Sequence, residues 1–130
     1  MQTALNRQPG SRQTTKSGLA AALWLVQAMS GILLLLLLLL HMVAHHFVVE
    51  GGLRNFQEVL AYVSNPVIFF LEVVFLAVVT LHAMLGLRAV ILDVGLSPRQ
   101  TRLLNGVLTV LGMVTLVYGI WLAVSIQQMG

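Results

Sequence analysis

Four histidines are the residues of this 130-residue chain best suited to chemistry: His41, His45 and His46 at the end of one apolar stretch, and His82 inside the next. A neutral imidazole is a metal ligand, and inside a bilayer an ionisable side chain is expensive. A bound ion, a proton path or a partner therefore has to account for each one. The chain has no cysteine, which excludes disulfides and Cys-held zinc or iron–sulfur clusters within it. Glu72 is the one carboxylate well inside an apolar stretch. An ionised acid at mid-bilayer costs about 2.5–3.5 kcal/mol on insertion scales, so it is read as proton-linked, either protonated or paired with a histidine, or else as hydrated near an interface.

The elements that must position these groups are membrane spans. Hydrophobic residues make up 58% of the chain and charged residues only 8%. Apolar stretches at about 19–48, 66–92 and 103–126 each exceed the ~20 residues needed to cross the hydrocarbon core. Lipid cannot satisfy open backbone groups, so the fold class is all-α: three transmembrane helices in one membrane domain, 18–130. The leucine run 33–40 behind a basic segment looks like a signal peptide. However, the stretch is longer than a signal core and no small-residue cleavage site follows, so it is read as retained.

Lys and Arg set the orientation. Arg7, Arg12 and Lys16 precede the first span, and Arg88, Arg99 and Arg102 flank the 93–102 loop, whereas the 49–65 loop holds only Arg54. The N-terminal tail 1–17 and the 93–102 loop are therefore expected in the cytoplasm, with 49–65 outside. The net charge of +3 serves orientation, not nucleic-acid binding. The polar tail is expected to be mobile, and its lack of acids keeps a mitochondrial inner membrane open beside a bacterial plasma membrane. Gly51-Gly52 is expected to turn, 53–63 to form a short interfacial helix, Asn65-Pro66 to open the second span, and Ser97 to cap the third.

At 100° per residue, Gln27, Ser30, Gly31, Leu34, Leu38, His41 and His45 share one face of the first span, and His46 points away. On the second span His82, Gly86, Ala89 and Asp93 share a face, and Gly86 leaves room for a flat macrocycle one turn from His82. Gly112, Thr115 and Gly119 read as a small-residue seam for helix contact. At ~1.5 Å rise per residue His82 and His41 differ in depth by roughly 15–20 Å. That is too far to grip one iron, and it suits two haems stacked across the bilayer. Each would need its other axial ligand from elsewhere, so a second membrane subunit is implied. His45, one turn from His41 on the same face, is the alternative ligand, and Arg88 is placed to pair with haem propionates.

The segment His82-Ala-Met-Leu-Gly86-Leu-Arg88-Ala-Val-Ile-Leu-Asp93 resembles the H-x3-G-x-R/W-x4-D stretch in the small membrane anchor of succinate dehydrogenases and fumarate reductases. Ser30-Gly31 followed by His41 is similar to the first helix of two-haem members, and Tyr118-Gly119 to the third helix. The resemblance covers roughly residues 25–125. It implies an anchor without bond-making residues of its own, in a complex with a flavoprotein, an iron–sulfur subunit and a second anchor. It also implies haem b, two copies favoured by His41, and a quinone, with menaquinone common in two-haem forms. In that setting His82 ligates the cytoplasmic-side haem and His41 the distal one, with Gly31 and Gly86 lining the haem and Arg88 on a propionate. Ser30 and Asp93 lie near the quinone.

Two departures bear on the quinone contacts: Val94 stands where many anchors have Tyr, and Ala28 where many have Arg. The residues alone leave two other classes open. One is a stand-alone or homodimeric bis-histidine b-type cytochrome. The other is a haem-free scaffold or small transporter with Glu72 and the histidines along a polar path.

Overall fold

The computed structural model describes residues 11–47 and 55–129, with side chains from Gly18 onward in the first of these stretches. Helix α1 spans Ser11–Met42 and passes directly into a π-helical turn, Val43–Phe47. Helix α2 is Phe56–Val63, α3 is Pro66–Leu92 and α4 is Pro98–Gln127. The described residues contain no strand, and three helical segments, Gly18–Phe47, Pro66–Leu92 and Pro98–Gln127, are long and apolar enough to cross a membrane.

Local chemistry sets most of the helix starts. Asn55 caps α2 in a reciprocal box: its side chain accepts from the Glu58 N–H, and the Glu58 carboxylate accepts from the Asn55 N–H, both at 2.9 Å. Asn65 Oδ1 accepts from the Val67 N–H at 2.9 Å, with Pro66 in the first turn of α3, where its missing N–H costs nothing. Ser97 and Gln100 repeat the box at α4, again with a proline (Pro98) in the first turn. Gly95 leaves α3 at φ +84, the left-handed conformation that favours glycine after a helix end.

The Ser97 box starts α4 at Pro98, as the Ser97-Pro98 pair leads one to expect, so the helix begins before the apolar run at about 103 does. The first helix is already formed at Ser11, inside the stretch expected to be a polar tail. A helix satisfies its own backbone and does not have to stop at the edge of the bilayer. The remainder of that tail, 1–10, and the Gly51-Gly52 turn with the start of the interfacial helix at Leu53 lie outside the described residues. Within them the interfacial helix is Phe56–Val63.

The three long helices stand in a row. Helix α3 packs on α1 along one side and on α4 along the other, α1 and α4 do not touch among the described residues, and α2 rests on α3 and α4. Both contacts are antiparallel: Ser30 meets His82 while His41 meets Glu72, and Arg88 meets Asn105 while Gly119 meets Leu76. The seam on α4 uses Gly112 and Gly119. A Cβ on Gly112 would lie 3.2 Å from Met84 Cγ, and one on Gly119 would lie 2.6 Å from Leu76 Cδ2. Thr115, expected on that seam, is exposed and bonds its hydroxyl to the carbonyl of Leu111 in its own helix.

A row buries little. The buried apolar side chains are Leu60 and Leu108, whereas residues such as Trp24 and Phe47 stand 71% and 79% exposed. Such apolar breadth is stable only against lipid or another membrane chain.

Candidate functional site

The most buried polar contact between helices joins α1 to His82. Ser30, 8% exposed, donates its hydroxyl proton to the Gln27 carbonyl at 3.0 Å, and its oxygen lies 3.1 Å from His82 Nδ1. A serine has one proton to give, and a main-chain carbonyl can only accept. In the tautomer that satisfies both Ser30 contacts, His82 Nδ1 donates and Nε2 carries the lone pair, the form that can ligate a metal through Nε2. The Gln27 amide nitrogen faces that lone pair at 3.5 Å, the limit of hydrogen bonding, and Gln27 Oε1 is buried with no partner among the described residues.

Two glycines permit this approach. A Cβ on Gly31 would sit 3.1 Å from His82 Cε1, and one on Gly86 would sit 2.9 Å from the Gln27 amide nitrogen. The space beside Gly86, expected to admit a macrocycle, is here filled by Gln27 of the neighbouring helix. Ser30→Ala should strand the His82 N–H and lower stability by about 1–3 kcal/mol, with Ser30→Thr restoring most of it through its retained oxygen. Thermal unfolding of the detergent-solubilised protein reads this, and an unchanged midpoint in Ser30→Ala would refute the network.

A second cluster lies further along the same helix pair. Glu72 Oε1 is 3.1 Å from His41 Nδ1 and 3.2 Å from His45 Nε2. The candidate ligating atoms of His41, His45 and Glu72 lie within 4.8 Å of one another, each side chain half-buried. Glu72 thus stands within hydrogen-bond reach of both rings. The two imidazoles lie tilted at 35° with centroids 4.2 Å apart; Phe75 stacks on His41 at 5.3 Å, and Tyr62 meets His45 edge-on at 4.6 Å. The π turn contributes: i→i+5 bonding takes more residues per turn, so His45 falls more nearly over His41. His46 is exposed.

The two clusters sit at different heights. On α1, Ser30 is level with His82, and His41 follows about 16 Å later at 1.5 Å per residue. On α3, Glu72 precedes His82 by about 15 Å on the same measure, so the two helices agree.

The remaining candidates are not brought to His82. Arg88 turns towards α4, where its Nε donates to Asn105 Oδ1 at 2.8 Å along an open groove of about 380 Å³ that Thr80, Met84 and Gly112 also line. Asp93 is exposed at the C-terminal end of α3, and Ser30 is committed to His82 and Gln27. Sequence reasoning missed Asn105, Phe75 and Tyr62 as site neighbours. Only Asn105 carried a signal, a carboxamide near the start of an apolar helix.

Comparison with known proteins completes the description. A family model described as succinate dehydrogenase/fumarate reductase transmembrane subunit matches residues 2–123. The chain is similar to the succinate dehydrogenase hydrophobic membrane anchor subunit of Archaeoglobus fulgidus, with 32% identity over 114 residues, 88% of this chain and 97% of that protein. It is also similar to the protein of the same description from Thermoplasma acidophilum, with 28% identity over 119 residues, 90% of this chain and 95% of that protein.

Proposed function

The chain belongs to the succinate dehydrogenase/fumarate reductase transmembrane subunit family as a membrane anchor, and from that premise we propose that it holds haem b at two heights, through His82 and through His41. The single observation that carries the reading is the Ser30–His82 network, in which Ser30 engages Nδ1 and Nε2 is left facing the Gln27 amide nitrogen at 3.5 Å, the limit of hydrogen bonding. Two features fit a haem there: that donor atom, and the buried Gln27 Oε1 without a partner among the described residues, on a side chain that would have to leave the space beside Gly86. When bound, the haem would supply one-electron transfer.

The chain's own residues bind and orient. Ser30 Oγ holds the proton on His82 Nδ1 and fixes the ring plane. The apolar walls of α1 and α3 keep bulk water from the imidazole. The exposed faces of the helix row fit a second membrane subunit, which would complete each axial pair, and the assembly would carry the iron–sulfur and flavoprotein subunits at the cytoplasmic ends of the spans. Arg88, through the nitrogens it does not spend on Asn105, is the cation available to a propionate on that side.

We assign the quinone contacts mainly to the partner subunits: Ser30 contacts His82, Asp93 is exposed at the end of α3, and Val94 offers no hydroxyl.

The test is extraction of the tagged chain from its native plasma membrane in mild detergent. The expected material shows b-type difference bands and carries a flavin-containing and an iron–sulfur polypeptide. Haem without flavin would favour a stand-alone cytochrome. Absence of a Soret band, with iron at background, would refute haem binding.

A further inference from the structure

We infer that Glu72 is the positioning residue of the outer haem site: it holds the Nδ1–H of His41, so that Nε2 faces the iron, and locks His45 in the opposite tautomer. This rests on the reading of His41 as an iron ligand, and it decides between His41 and His45.

The argument starts from one oxygen. Glu72 Oε1 lies within hydrogen-bond reach of His41 Nδ1 and His45 Nε2, at 3.1 and 3.2 Å. That oxygen engages Nδ1 of His41 and Nε2 of His45, so the nitrogen turned away from the carboxylate is Nε2 in His41 and Nδ1 in His45. The two nitrogens are not equivalent towards a macrocycle. Nε2 is the far corner of the ring, whereas Nδ1 sits beside the side chain's own Cβ, where a flat porphyrin would collide with the helix. His41 alone presents the usable atom.

The surroundings hold that choice. Phe75 stacks on the His41 ring at 5.3 Å and His45 lies tilted against it at 4.2 Å, so both crowd a rotation that would exchange the nitrogens. His45 is held in turn by Tyr62 and by Glu72, and its part is to support the carboxylate. Because Glu72 is on α3 and His41 on α1, packing between these helices sets the ligand's orientation. The carboxylate also raises the ligand's basicity, which favours the oxidised iron and lowers the potential of that haem.

The experiment compares purified membrane complexes carrying wild-type, His41→Ala, His45→Ala, Glu72→Gln and Glu72→Ala chains, by haem count, potentiometric titration and low-temperature EPR of the ferric haems. His41→Ala should lose one haem and His45→Ala should keep it. Glu72→Gln keeps an acceptor oxygen but loses the charge. It should retain that haem while raising its midpoint potential and shifting its EPR signal, with the other haem unmoved. Glu72→Ala should weaken retention of that haem by about 10–100-fold, the usual cost of removing such an outer partner. Two haems with unaltered potentials and signals in Glu72→Gln, or loss of haem in His45→Ala but not in His41→Ala, would overturn the assignment while leaving the two-haem reading intact. A wild-type complex with a single haem that His41→Ala leaves in place would overturn both.

Discussion

His82→Ala should yield an assembled complex that has lost one of its two haems. The substitution removes the one histidine of α3, whose Nδ1 is engaged by Ser30 and whose ring lies against Gly31 of the neighbouring helix. Little else depends on that ring. Ser30 keeps its bond to the Gln27 carbonyl, the α3–α4 seam is on another face, and the outer cluster lies about 15 Å away along the helix. The stability cost should therefore stay near the ordinary range for truncating a half-buried side chain, about 1–3 kcal/mol, while haem at that site falls to background. A pyridine haemochrome assay normalised to flavin should halve, and the difference spectrum should lose one component. A full complement of haem with an unchanged redox spectrum would show that His82 is a packing residue.

Sequence legibility differed sharply between features along a helix and features between helices. The Asn65-Pro66 and Ser97-Pro98 starts were readable because a cap is a bond between neighbours in the chain. The shared face of Ser30, His41 and His45 was readable because a helix fixes the angle between its own residues. Periodicity does not say which neighbour a face meets. Gly86 was correctly placed on the His82 side, but its space is taken by Gln27, which comes from another helix. Arg88 lies off that face, and its turn towards Asn105 depends on α4 standing beside α3. Glu72 was seen as a costly charge in need of a partner. That the partner is a pair of rings follows from antiparallel packing and from a π turn that no local signal announces. The early start of α1 escaped notice because apolarity measures the bilayer, not the helix.

Gly31→Leu separates the site from the scaffold in a way that removing a ligand cannot. The position has no positive φ and needs no glycine for its backbone, so leucine should favour α1 by up to about 1 kcal/mol and suit the membrane as well. What glycine permits is closeness. Even the first added carbon would lie 3.1 Å from His82 Cε1, tighter than carbon contacts ordinarily allow. The ring cannot simply slide away, since Ser30, the adjacent residue, holds Nδ1 at 3.1 Å and Gln27 stands at Nε2. Alanine should shift the ring by a few tenths of an ångström and keep the haem with an altered spectrum. The branched carbons of leucine should break the Ser30 bond, release the Nδ1 proton from its fixed place and lower retention of that haem by about 10–100-fold, the scale on which metal sites respond to loss of an orienting partner. The chain should still insert and assemble, and the haem at His41 should keep its spectrum and potential. Haem counting beside an unfolding midpoint would check this. A Gly31→Leu complex with both haems at unshifted potentials would mean that the His82 ring does not lie on Gly31 when the site is filled, and that the Ser30 contact does not set its tautomer.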